Sequence, residues 1–163
     1  VLAMRVVEPG NMGLPRVLAV GLSDSPGLLA RLSPPLELLA PDLSELWLLR
    51  VIEEQQRFSG VLSHPRLEQL RTEALADLER TGRSLATSLA AGQGGPARLE
   101  RQVDFGEQWA DRLASGAHRV RAHLLLLGAS DHLLPSRFTL SNPLEIVLRD
   151  AACDVAVFRA GGA

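Results

Sequence analysis

The run Ala122-His123-Leu124-Leu125-Leu126-Leu127-Gly128 constrains this chain more than any other stretch. Four consecutive leucines leave no polar face, so the segment must be covered on both sides. It is bounded by Gly128 and is too short for a buried helix, so it reads as a strand. Strands apolar on both faces belong to parallel sheets with helices above and below. Further runs of this kind are RVLAVGL (16–22), LSELWLLRVIE (43–53) and CDVAVFR (153–159). RLERQVDFG (98–106) places Leu99, Val103 and Phe105 on one face and reads as a half-buried strand.

The intervening segments have helical spacing. Residues 66–92 carry Leu67, Leu70, Ala74, Leu78, Leu85 and Leu89 close to a 3.6 period, with Gly92 or Gly94-Gly95 as the stop. Residues 107–120 turn Trp109 and Leu113 inward, and 142–151 start a helix with Pro143 at its first position. Ser25 and Pro26 open another helix, which Ser33-Pro34-Pro35 should break and restart as PPLELLA before Pro41. Strand then helix, repeated, predicts an α/β fold: a doubly wound, open, parallel five-stranded sheet with helices on both faces. The 163 residues suit one domain. Its expected extent is 16–160, with 1–15 as a lead-in or extra edge strand and 161–163 as a tail. In such a sheet a ligand sits beyond the carboxyl ends of the strands, where the strand order reverses. Those ends are Gly21-Leu22-Ser23 and Gly128-Ala129-Ser130.

Composition narrows the chemistry. At 46% hydrophobic and 22% charged, the chain is globular rather than disordered. A net charge of -2 gives no overall attraction to nucleic acid, and no nucleic-acid partner is expected. All 17 basic residues are arginine, so no lysine can pair with a phosphate or form a Schiff base. A GC-rich genome is the plain reason for that usage. One cysteine, Cys153, excludes an internal disulfide and fits a reducing, cytoplasmic setting. VLAMRVV is too short for a signal peptide. The apolar runs fall below the ~18 residues of a membrane span, so the chain itself should be soluble. Its start at Val1 rather than Met suggests a piece of a larger protein.

Catalytic constellations are weak. Ser130, Asp131 and His132 are adjacent in sequence, which is not how a triad is built, and no G-x-S-x-G elbow is present. His64, His118, His123 and His132 lack metal-ligand spacing, so no metal is expected. Cys153 opens the last strand and reads as a small buried residue. Trp47 and Trp109 read as core, and Glu53-Glu54 as a solvated rim. The chain is not expected to be an enzyme.

The end of the chain, HLLLLGASD followed by LSNPLEIVLRDAACDVAVFR, resembles the last third of a universal stress protein. Arg149, Ala152, Cys153, Val155, Val157 and Arg159 fall in step with that pattern. RVLAVGLSDSPGLLARL with LSELWLLRVIE resembles the family's first strand–helix–strand, and VDFGEQWADRL its third strand and the helix after it. The resemblance spans roughly 16–160 and implies a strand order of 3-2-1-4-5, counted from the strand at 16–22.

ATP-binding members of that family carry, as the resemblance implies, G-x-x-G, nine residues, then G-S/T. Here Gly128 fills the first position, Asp131 stands at the second, and Ser141-Asn142 stand where Gly-Ser/Thr belong. An aspartate opposes a polyanion. The acidic residue that usually ends the first strand is replaced by the run Gly21-Leu22-Ser23. Some features of a nucleotide site persist: Ser141 and Asn142 at a helix start, Arg137 in the loop, and Val51 placed, as the resemblance implies, like the family's adenine contact. Two readings stay open. The first is a non-catalytic regulatory or stress-response domain that dimerises or docks, its last strand pairing with a second copy at Val155 and Val157. The resemblance also admits a cytoplasmic domain of a membrane transporter. The second is an ATP-binding sensor using Gly21, Ser23, Val51, Gly128, Ser130, Arg137, Ser141 and Asn142.

Overall fold

A computed structural model describes residues 2–7, 14–23, 28–53, 64–91, 95–128 and 143–158. Among the described residues, six strands and four α-helices follow one another as β1 (Leu2–Arg5), β2 (Val17–Leu22), α1 (Leu28–Leu39), β3 (Glu45–Glu53), α2 (His64–Ala91), β4 (Arg98–Gly106), α3 (Trp109–Arg119), β5 (Leu124–Gly128), α4 (Pro143–Asp150) and β6 (Asp154–Phe158). The strands form one sheet in the order β1-β6-β5-β2-β3-β4.

The β2–β3, β3–β4, β2–β5 and β5–β6 pairs are all parallel. These five strands keep the expected order. The sheet is nonetheless six-stranded and mixed, because β1 pairs antiparallel with β6, from Leu2 opposite Phe158 to Arg5 opposite Val155. The last strand is therefore not an edge. Two side-chain hydrogen bonds fix the added strand: Arg5 Nη1 donates to the Ala151 carbonyl at 3.2 Å, and Asp154 Oδ1 accepts the Val7 N–H at 2.7 Å.

Alternation along each strand splits the core in two. Leu18, Val20, Leu46, Leu48, Leu124 and Leu126 face α1 and α2. Ala19, Leu49, Leu125, Leu127 and Val155 face α3 and α4. Helix α2 buries Ala74, Leu78, Gly82, Leu85 and Leu89, whereas Leu67 and Leu70 are only half-buried. Gly82 is a close-approach residue: a Cβ there would lie 2.8 Å from Leu99 Cδ2.

The expected break at Ser33-Pro34-Pro35 does not occur, and α1 runs through both prolines as one helix. Proline removes backbone donors inside a helix, but packing outweighs that loss here. Leu28, Leu32 and Leu36 form one i, i+4, i+8 stripe against the sheet, with Leu32 and Leu36 fully buried.

Among the described residues no helix is long and apolar enough to cross a membrane. Just past the end of helix α3, Arg121 has a φ of 53°, the left-handed conformation usually given to glycine. Its N–H donates to the His118 carbonyl at 3.0 Å, and the Ala122 N–H donates to that of Ala117 at 3.0 Å. A non-glycine residue in this region costs roughly 1 kcal/mol. Replacing Arg121 with Gly should therefore raise stability by about 1 kcal/mol in urea denaturation, with an unchanged slope.

Candidate functional site

Strands β2 and β5 lie side by side, with Gly21 opposite Leu127. Helix α1, which follows β2, packs on one face of the sheet, and α4, which follows β5, packs on the other. The helices that follow these neighbouring strands thus lie on opposite faces of the sheet, which is the arrangement that places a ligand crevice beyond the strand ends. Gly21 and Gly128 stand at this mouth, Ser23 is exposed just past β2, and Val51 is half-buried near the end of β3. Ser130, Asp131, Arg137, Ser141 and Asn142 lie outside the described residues.

The two glycines have neighbours of their own. A Cβ on Gly128 would overlap Leu28 Cδ1, and Leu32 Cδ2 lies 3.5 Å from the same point. At Gly21, a Cβ would come within 2.6 Å of Leu127 Cδ2 and 2.8 Å of Leu113 Cδ2. Both absences of a side chain are thus used by the core. The first turn of α1 settles over Gly128, and α3 presses Leu113 over Gly21. At both positions helix packing leaves little room for a side chain.

Glu53 closes β3 and performs a task that its sequence position did not suggest. Its Oε1 accepts the Trp109 N–H at 3.2 Å, while Gln108, the residue at the cap position, makes no side-chain cap. A carboxylate at a helix start satisfies a free donor and complements the helix dipole. Expected to be solvated, Glu53 instead ties the end of β3 to the start of α3. The pairing spans 56 residues of sequence, so no local motif announces it. On the other face, the guanidinium of Arg71 lies 5.5 Å from the centre of the Phe105 ring at the end of β4, within cation–π range.

Two of the remaining chemical candidates, His123 and Cys153, have structural surroundings of their own. Among the described residues no group of three or more His, Cys, Asp or Glu side chains could hold a metal. His123 accepts the Arg16 N–H on Nδ1 at 3.3 Å, at the opposite end of the sheet from the crevice. Cys153 is buried, and burial, aided by the Asp154 charge, pushes its thiol up to about 11. A thiol so shifted is protonated at neutral pH and is not a nucleophile.

Three solved structures share this architecture. A universal stress protein family member from Burkholderia pseudomallei aligns with a TM-score of 0.60 at 22% identity, covering 89% of this chain and 96% of that one. A universal stress protein solved in complex with cAMP gives 0.60 at 17% identity, covering 91% and 100%. A family protein from Arabidopsis thaliana with AMP bound gives 0.55 at 16% identity, covering 91% and 94%. This chain has the universal stress protein fold. No family model matches its sequence, and no curated protein is significantly similar to it. The likeness is therefore one of architecture.

Two outcomes follow from the filled glycines and the shifted thiol. Gly128→Ala should cost about 1–3 kcal/mol, because Leu28 must move within a packed interface. The denaturation midpoint measures this. In the native protein Cys153 should resist a disulfide reagent at pH 8 and react promptly in denaturant. Below pH 9 the thiol is protonated in both the folded and the unfolded state, so its contribution to stability declines only as pH rises from 9 towards 11.

Proposed function

We propose that this chain is a non-catalytic regulatory domain on the universal stress protein scaffold, acting through protein contacts rather than by holding or turning over a nucleotide. The observation that carries this reading is the packing of Leu28 over Gly128. The strand-end glycine that a phosphate loop would need for close backbone approach is already claimed by the first turn of α1. Two further features point the same way. The end of β2 offers Ser23 rather than a carboxylate to a ribose, and Glu53 is committed to the Trp109 N–H. In sequence, Asp131 adds a negative charge to the loop that a polyanion would have to enter.

A second reading is an adenine-nucleotide sensor. It is favoured by the solved structures of the same fold that hold cAMP and AMP. In that reading Gly128, Ser130, Ser141 and Asn142 approach the phosphates with Arg137, and Gly21, Ser23 and Val51 line the nucleoside end.

Calorimetric titration with Mg-ATP, AMP and cAMP separates the two, together with chromatography of anything released on denaturation. The expected outcome is no heat and no nucleotide. Micromolar binding of any of the three would overturn the docking reading in favour of the sensor. Asp131→Gly refines the result: a gain of nucleotide affinity in that variant alone would identify the aspartate as what closed an otherwise intact site.

A further inference from the structure

With β6 covered by β1, the sheet ends on β1 at one side and on β4 at the other. β1 offers an outer edge of four residues, whereas β4 runs for nine. The Arg98 N–H donates to the Ser44 carbonyl at 3.1 Å, and the register with β3 continues without a break from Arg98 opposite Glu45 to Gly106 opposite Glu53. Alternation then turns the N–H and C=O groups of Glu100, Gln102 and Asp104 towards β3 as well. Those of Leu99, Arg101 and Val103 point away from β3, to a side where no strand lies among the described residues. A row of such groups is able to accept a further strand.

We propose that β4 is a docking edge for the same strand of a second copy of this chain, paired antiparallel about a two-fold axis through Arg101. The order of side chains along the strand decides the partner. With the axis at Arg101, Arg98 stands opposite the partner's Asp104, Leu99 opposite the partner's Val103, and Glu100 opposite the partner's Gln102. Each contact occurs twice, as a self-complementary interface requires. Moving the axis to residue 100 sets Glu100 against the partner's Glu100, and moving it to residue 102 sets Glu100 against the partner's Asp104. Like charges directly opposed are destabilising, so the sequence favours one register and penalises its neighbours. The same charges discourage an unrelated strand. The two Arg101 side chains meet at the axis, and each brings its own carboxylate, because Glu79 of α2 lies 3.0 Å from Arg101 Nη1.

The groups that would cross the axis are available. Arg98 is 59% exposed and bonds Glu100 of its own strand at 2.7 Å, so it turns to a partner without opening the core. Asp104 accepts from Gln102 and Arg119, and a carboxylate has acceptor capacity for a third donor. Helix α2 supports the same edge. Glu79 reaches Arg101, so its side of the helix leans over β4. Leu75, one turn earlier on that side, is the exposed large hydrophobic residue of α2, at 37%. A second copy joined at β4 brings the two α2 flanks together and screens Leu75 from water. The inference is independent of how the crevice at Gly128 is read.

The test is the mass of the full chain by light scattering over a concentration series. Wild type is expected to reach twice the mass of one chain. Arg98→Asp and Asp104→Arg each set two like-charge pairs across the axis, and each should weaken association about tenfold or more. Mixed in equal amounts, the two variants complement each other at both pairs, and a heterodimer of wild-type strength is expected. Amide exchange reads the register: Leu99, Arg101 and Val103 should be slow in the dimer and fast in either variant alone, while Gln102 stays slow throughout. If Asp104→Arg fails to fold, Arg101→Pro takes its place, since β3 does not use the Arg101 N–H and an outer strand tolerates proline there. That variant should be monomeric with an unchanged circular dichroism spectrum. A wild type that stays monomeric at every concentration overturns the proposal. So does a dimer that persists in Arg98→Asp and Arg101→Pro, because it must form on another surface, and so does a mixture of the two folded charge variants that fails to associate.

Discussion

Four leucines in succession on a central strand have to be hidden on both sides, and the architecture follows from that requirement. Leu124 and Leu126 are buried against α1 and α2, Leu125 and Leu127 against α3 and α4. A sheet with only one covered face would leave two of them in water, at a cost of roughly 2 kcal/mol each. Strand β5 must therefore lie inside a helix–sheet–helix sandwich. Its neighbours must be joined by helices that alternate in the face they cover, and the crevice at the ends of β2 and β5 is a by-product of that winding.

Much of this was legible in the sequence because the signals are local. The runs at 16–22, 43–53, 98–106, 122–128 and 153–159 each announce a strand, and the helical spacing of 66–92 announces α2, to within a residue or two of their observed ends. What escaped notice is non-local. Leu2–Arg5 is too short to show a period, so local signals left it open between a lead-in and an extra edge strand, and its pairing with β6 decides for the strand. The proline pair in α1 predicts a break by local rules, and the Leu28, Leu32, Leu36 stripe overrides them. Gly128 sits at a spacing that suggests a phosphate loop, while the side chain that fills the space beside it is a leucine about a hundred positions earlier. Glu53 illustrates the same limit, because its partner is a backbone N–H in another unit of the fold.

The absence of lysine leaves the long helix with a distinctive electrostatic pattern. Asp77 bonds to both Arg80 on α2 and Arg50 on β3, and Glu79 to both Arg83 on α2 and Arg101 on β4. Each carboxylate is shared between one arginine of its own helix and one of the sheet below, a geometry suited to the multi-donor guanidinium. The helix partner dominates in both cases, and both carboxyls are held below their ordinary values. Whatever these pairs contribute is therefore present at neutral pH and fades as the carboxylates protonate in acid. They orient α2 over the sheet more than they stabilise it, since exposed pairs are individually weak.

The pairing of β1 with β6 also imposes an order on folding. Its anchoring hydrogen bonds join residues 146 and 147 positions apart, so of the six described strands the earliest made waits for the latest. Contacts of such long sequence separation form late, after the loops between them have closed. During that interval the central strands assemble with one flank uncovered, and two growing chains on the same message are in their most adhesive state. The arrival of β6 and its capture by β1 would then mark completion of the domain, making this short strand a clasp that fastens only when everything between its two halves is in place.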